Sequence, residues 1–125
     1  MISKKLLQEA TKRLVSKFQP ERIILFGSYA RGTADEHSDA DILVVCPVKK
    51  NRIKAMVEMD SVLDGLKIAR DIVVLTPKEF KIDKEIPGTI ARYANKEGKL
   101  LYERKQGRDY KDKFDCKMET REGLM

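Results

Sequence analysis

The apolar residues at the start of the chain recur every three or four positions, with lysine, glutamine, glutamate and arginine between them. This spacing predicts an amphipathic helix that ends before Pro20. Short apolar runs then predict strands at residues 22–26, 41–46, 68–75 and 100–102, with a turn or short helix at Ser28. Helices are predicted over residues 50–66, from Pro77 onward and over residues 89–95. The resulting order, αβαβα followed by βααβ, predicts an α/β (α+β) fold.

Three local patterns refine this picture. In the helix at 50–66, the apolar stripe that we expect to face the core is formed by Ile53, Met56, Val57 and Leu63. The sequence from Thr76 to Glu79 predicts a capping box, with proline at the first helical position. The strand at 68–75 is expected to be mostly buried, although it carries an aspartate in its interior, which is costly unless the carboxylate meets a cation or a cleft.

The chain changes character after residue 103. Residues 104–125 contain seven lysines or arginines and five acidic residues, and their few apolar residues are not periodic. We therefore predict one domain over residues 1–103 and a charged C-terminal tail over residues 104–125. The tail is interpreted as a solvated extension or as a segment that orders on a partner.

Composition excludes several classes of protein. Of the 125 residues 42% are hydrophobic, which suffices for one core, and no run approaches the ~18 apolar residues of a membrane helix. The N-terminus lacks the apolar segment of a signal peptide, so a cytoplasmic location is expected. Cys46, Cys116 and His37 have no zinc-ligand spacing, and both thiols are expected to be free. The net charge of +6 is compatible with nucleotide, nucleic acid or an acidic protein as a partner.

The candidate chemistry lies in two adjacent motifs, GSYARG at residues 27–32 and SDAD at residues 38–41. Gly27 ends a predicted strand, and Ser28 begins a turn where backbone N–H groups and a hydroxyl can hold phosphate oxygens. Asp39 and Asp41 are two residues apart at the start of a strand, so both carboxylates project from one face. Such oxygen ligands suit Mg²⁺ or Mn²⁺, and Asp71 can complete a triad of acids.

With these motifs the sequence resembles the minimal nucleotidyltransferases, the smallest members of the DNA polymerase beta-like nucleotidyltransferase superfamily. The resemblance covers roughly residues 1–103. It implies a small mixed β-sheet flanked by helices, and metal-dependent transfer of a nucleoside monophosphate, such as AMP from ATP, to a hydroxyl. By this resemblance Gly27 and Ser28 hold the triphosphate, Arg31 supports the site or a phosphate, and Asp39, Asp41 and Asp71 are the catalytic metal ligands.

The resemblance also implies a partner. Minimal nucleotidyltransferases are often paired with an all-helical HEPN protein as toxin-antitoxin modules, which implies an antitoxin that adenylylates a tyrosine of a HEPN ribonuclease in a hetero-oligomer. The alternatives are a non-catalytic module that neutralises its partner by contact, a small-molecule nucleotidyltransferase, and a nucleic-acid-binding domain. The last is disfavoured because only the net charge supports it. Arg31 and His37 nominally match the Arg-x4-6-His pattern of HEPN ribonucleases, but that pattern requires a helix and Gly32 interrupts the stretch.

Overall fold

The structure, a computed structural model, describes residues 2–48 and 51–104. Its elements follow the predicted order. They are α1 (Lys4–Phe18), β1 (Arg22–Phe26), α2 (Ser28–Arg31), β2 (Ala40–Val45), α3 (Arg52–Val62), β3 (Arg70–Leu75), α4 (Pro77–Asp83), α5 (Ile90–Glu97) and β4 (Lys99–Glu103).

The four described strands form one mixed sheet in the order β3-β2-β1-β4. β1 pairs antiparallel with β2 on one side and with β4 on the other, whereas β2 and β3 are parallel. The parallel pair needs a crossover connection, which α3 supplies. The predicted α/β class and the mixed sheet flanked by helices are therefore confirmed.

Each face of the sheet packs against its own pair of helices, because successive strand residues point to opposite sides. One face joins α1 and α3 in the larger core, whose buried members include Leu14, Ile23, Leu25, Ile42, Val44, Met59 and Leu63. The other face packs on α4 and α5 through Ile24, Phe26, Leu43, Val45, Phe80, Ala91 and Ala94. The sheet is thus the middle layer of three, and its two ends remain available for a site.

The predicted capping box at the start of α4 is confirmed. The Glu79 backbone N–H donates to the Thr76 hydroxyl at 3.1 Å, and the Thr76 backbone N–H donates to the Glu79 carboxylate at 2.9 Å. Both contacts satisfy N–H groups that the first helical turn leaves without partners. The cap fixes where the chain turns from β3 into the helix.

The predicted stripe on the second long helix was partly wrong. In α3, Ile53 is 71% exposed and Val57 is 59% exposed, whereas Met56 is half-buried and Leu63 is buried. The core-facing stripe runs instead through Met59, and the helix is shorter than predicted, beginning at Arg52 and ending at Val62. Apolar residues occur on both the exposed and the buried sides of this helix, so residue type alone did not indicate which side packs against the core.

Several other expectations concern the ends of the chain and its thiols. Cys46 is buried and free, as predicted, while Cys116 and the tail after Arg104 lie outside the described residues.

Arg31 belongs to α2 and His37 to the loop that follows, so they do not share the helix that the ribonuclease pattern requires. Within the described part of the chain, no helix is both long and apolar enough to span a membrane.

Candidate active site

An acidic row crosses the end of the sheet where β1 finishes and where β2 and β3 begin. Asp41 and Asp71 are register partners on the parallel strands β2 and β3, and Phe26 is the register partner of Asp41 on β1. Residues in register project from the same face, here the face that packs on α4 and α5. Asp39 lies one residue before β2 and two before Asp41. Strand pairing therefore brings together two aspartates that are 30 residues apart in sequence.

The three carboxylates differ in their exposure. Asp39 and Asp71 are exposed, and Asp41 is half-buried. The expectation of a mostly buried strand over residues 68–75 with Asp71 in its interior was wrong, because β3 begins at Arg70, Asp71 is its second residue and β3 lies at an edge of the sheet. An edge carboxylate that reaches solvent costs the fold little, and it remains accessible to a ligand.

Asp41 is a carboxylate of the acidic row whose ionised form is disfavoured by its surroundings. Burial raises the pKa of its carboxyl above the usual value, and the negative charges of Asp71 and Asp39 raise it further, while Arg31 acts in the opposite direction. A carboxylate crowded by like charges is the arrangement that a bound cation relieves.

Gly27 packs directly against this carboxylate. Its backbone has φ 76° and ψ −153°, a conformation that is open essentially to glycine alone. A Cβ placed on Gly27 would lie 3.1 Å from Asp41 Cγ and still closer to Oδ2. Ser28 then begins α2, and its carbonyl accepts from the Thr33 N–H at 3.0 Å. The structure thus places the glycine-serine turn beside the acidic row, as the two motifs predicted.

Tyr93 is a site residue that sequence reasoning missed. Arg31 donates a hydrogen bond to the Tyr93 hydroxyl, and the Tyr93 ring packs edge-on against Phe26 with centroids 6.1 Å apart. Tyr93 therefore connects α5 to the arginine that faces Asp41. The periodicity of the last helix indicated that residue 93 is helical, but no sequence signal related it to Arg31.

The row is not a closed metal cage. Within residues 2–48 and 51–104, no three His, Cys, Asp or Glu side chains are close enough together to hold a metal ion by themselves. The donor chemistry nevertheless fits Mg²⁺ or Mn²⁺, because all three side chains are hard oxygen ligands at one end of the sheet, where Asp41 has two like charges near it. Magnesium commonly takes only one or two protein carboxylates and completes its shell with water and substrate phosphates.

Comparisons with known proteins identify the family of this chain. The model of the family described as "Nucleotidyltransferase domain" matches residues 7–113. A relative from Methanocaldococcus jannaschii, named "Putative protein adenylyltransferase MJ0604", is 35% identical over 109 residues, which are 82% of this chain and 100% of that protein. The chain therefore belongs to the nucleotidyltransferase domain family. The predicted enzyme class, nucleotidyltransferase, is confirmed.

Two solved structures share the fold. One is described as "Crystal structure of a putative nucleotidyltransferase from Sulfolobus solfataricus". It has a TM-score of 0.58 and 28% sequence identity, over 82% of each chain. The other is a toxin-antitoxin crystal structure with AMP-PNP, with TM-score 0.54 and 24% identity over 82% of this chain and 76% of that chain. At this identity the second likeness concerns the fold alone.

Proposed function

We propose that this chain transfers AMP from ATP to a tyrosine hydroxyl of a HEPN-type ribonuclease toxin and thereby acts as its antitoxin. The observation that carries the proposal is the register of Asp41 and Asp71 on one sheet face, with the charge of Asp39 close to Asp41, beside the glycine-serine turn. The name of the archaeal relative supports a protein as acceptor, and the toxin-antitoxin structure of similar fold supports the biological setting.

In the proposed reaction the acceptor oxygen attacks the α-phosphorus of ATP. A new bond forms between that oxygen and phosphorus, the bond from the α-phosphorus to the bridging oxygen breaks, and pyrophosphate leaves. Asp71 accepts the hydroxyl proton, since its carboxylate is exposed at the end of the row. The N–H groups and hydroxyl of the Gly27–Ser28 turn orient the triphosphate, and Arg31 contributes positive charge.

One or two of Asp39, Asp41 and Asp71 would hold Mg²⁺ or Mn²⁺ together with water and substrate phosphates, since no three described acidic side chains are close enough to hold an ion by themselves. When bound, the divalent ion supplies neutralisation of the triphosphate charge and lowers the pKa of the attacking hydroxyl. The protein supplies the fixed register that keeps Asp41 and Asp71 on one face. In phosphoryl-type transfer, positioning and charge neutralisation provide most of the rate, so a domain of this size suffices.

The domain boundary remains part of the proposal. The last described strand, β4, ends at Glu103, whereas the family match extends to residue 113. We propose residues 1–103 as the catalytic unit and assign no catalytic role to the predicted tail.

The decisive test uses the full chain, the protein encoded by the neighbouring reading frame, ATP and Mg²⁺. We expect a mass increase of one or more AMP units on a tyrosine of that protein. The Asp39→Asn, Asp41→Asn double variant should abolish the increase. The control, Glu58→Gln with Glu85→Gln, changes the net charge equally with exposed side chains away from the acidic row and should retain activity.

Two results would contradict the proposal. If no nucleoside triphosphate yields a mass increase, the protein does not modify this partner. If the double aspartate variant protects cells from the neighbouring toxin as fully as the parent chain does, protection comes from contact and the transfer reaction is not its basis.

A further inference from the structure

A groove lies across the sheet from the acidic row. It has a volume of about 1050 Å³ and runs between α1 and β4, with Leu25 of the larger core among its lining residues. Leu7, Thr11 and Val15 form its helical wall, at the four-residue spacing that places them on one side of α1. They span about 12 Å along the helix axis, or roughly two turns. The groove is thus long enough for several side chains of another segment.

The opposite wall is an edge strand. β4 is the last strand of the sheet order, so one of its sides has no partner among the described strands. Leu100 on this strand is 51% exposed and lines the groove. Exposed apolar surface beside an unpaired strand edge is a feature of interaction sites, since monomeric proteins usually protect such edges.

The charges around the groove have a single sign. Lys4, Lys12 and Lys99 line it and are all exposed, and none of the described residues that line it is acidic. The chain as a whole has 20 acidic residues against 26 basic ones, so a purely basic rim does not simply follow from composition. A rim of this kind is complementary to acidic side chains, and its apolar interior is complementary to aliphatic or aromatic ones.

Helix α2 connects the groove to the candidate active site. Tyr29 lines the groove, and its hydroxyl accepts a hydrogen bond from the Ile2 N–H at 3.1 Å. Arg31, two residues later on the same short helix, reaches Tyr93 beside the acidic row. A segment seated in the groove would therefore contact α2, the helix that begins at the glycine-serine turn.

We infer that this groove docks an acidic, amphipathic segment of the protein acceptor, with apolar side chains between α1 and β4 and carboxylates on the lysine rim. The inference rests on the proposed function, in which the acceptor is a protein. It adds a docking surface that is separate from the residues that hold ATP. The two rings that line the groove, Tyr29 and Tyr102, are half-buried and packed against the larger core, whereas the bases of a nucleic acid require exposed stacking rings. The groove therefore favours a protein segment over a nucleic acid.

Charge reversal of the rim tests the inference on the full chain. The groove variant is Lys4→Glu, Lys12→Glu, Lys99→Glu, and the matched control is Lys54→Glu, Lys78→Glu, Lys81→Glu, at exposed lysines outside the groove. Each set lowers the net charge from +6 by 3 × 2 to zero, so general electrostatic attraction changes equally. The probe is the neighbouring reading frame's protein, and its affinity is measured at low and high salt.

We expect the groove variant to bind this probe about 10- to 100-fold more weakly than the control, with a smaller salt dependence. Binding of ATP with Mg²⁺ should be unchanged in both variants. Leu100→Ser should also weaken binding of the probe, whereas Ile53→Ser, at an exposed position on α3, should not. This second pair tests the apolar contact without relying on charge.

Equal affinity of the groove variant and its control would overturn the inference, as would failure of the parent chain to bind the probe. Self-association of the parent that only the groove variant loses would assign the groove to a second copy. Crosslinks from a photoreactive residue at Gln8 to residues 105–125 of the same chain, or to single-stranded RNA instead of the probe, would likewise overturn it. If the probe binds as expected but receives no AMP, the proposed function fails and the docking surface stands.

Discussion

Replacing Gly27 by alanine tests whether the backbone of the glycine-serine turn determines the position of the Asp41 carboxylate. The backbone of Gly27 lies in a region that costs other residues about 1–3 kcal/mol. The added Cβ also meets the Asp41 carboxylate, with Cγ at 3.1 Å, and overpacking of this kind typically costs a further 1–3 kcal/mol, roughly. Because small domains are commonly stable by about 5–15 kcal/mol, the variant should remain folded but with Asp41 displaced.

Gly32→Ala provides the matched control. Gly32 also has a positive φ of 77°, but a Cβ there meets nothing within 4 Å. Its substitution should cost only the left-handed strain of about 1–2 kcal/mol. Urea denaturation should therefore place Gly27→Ala at least about 1 kcal/mol below Gly32→Ala. Calorimetry should show that only Gly27→Ala weakens binding of ATP with Mg²⁺. Equal stability and equal ATP affinity of the two variants would refute this account of Gly27.

Four further predictions concern the row, its arginine and the cap of α4. Asp71→Asn should slow AMP transfer by about 10²–10⁴-fold in single-turnover assays while ATP affinity falls far less; an equal fall in both would contradict its role as proton acceptor. Tyr93→Phe removes the acceptor of the Arg31 hydrogen bond and should raise the KM for ATP with little change in Tm, whereas an unchanged KM would mean that the contact does not orient Arg31. Thr76→Ala should lower the unfolding free energy by about 0.5–2 kcal/mol. The hydrogen bond from the Thr76 N–H lowers the pKa of Glu79, and the hydrogen bond that Arg52 donates to the Glu79 carboxylate lowers it further. The pKa of Glu79 is therefore lower in the folded state than in the unfolded state. The stability that ionised Glu79 contributes is fully present above the unfolded-state pKa and is lost as pH falls through the folded-state pKa. The stability gap between parent and Glu79→Gln in urea melts should close on acidification; a constant gap would exclude this linkage.

Local rules predicted the elements whose determinants are close in sequence. The strand at residues 22–26 lies where its apolar run indicated, and the box at Thr76 and Glu79 formed because its donors and acceptors are three residues apart. The stripe of α3 was harder to predict, since Ile53 and Met56 are both apolar and only the packing of the sheet decides which one is covered.

The site depended on information that no short segment contains. The Asp-x-Asp spacing predicted that two carboxylates would share a face, but the alignment of Asp71 with Asp41 comes from the register of two strands joined by α3. Whether Asp71 is buried depends on β3 being an edge strand, which follows from the sheet order and not from the strand's composition. Tyr93 meets Arg31 only because α5 returns across the sheet, 62 positions later in the chain.

Because the candidate site depends on the parallel register of β2 and β3, the effect of an insertion or deletion depends more on where it lies in the chain than on how many residues it contains. If the apolar residues that follow keep their partners, deleting Ile42 or Ile72 would shift the preceding aspartate by one position to the opposite face and would separate Asp41 from Asp71. The turn between α3 and β3, where Gly65 has open space around it, can instead accept additional residues without altering the strand pairing. That turn is therefore a suitable position for inserting a fluorescent or affinity tag while keeping the acidic row aligned.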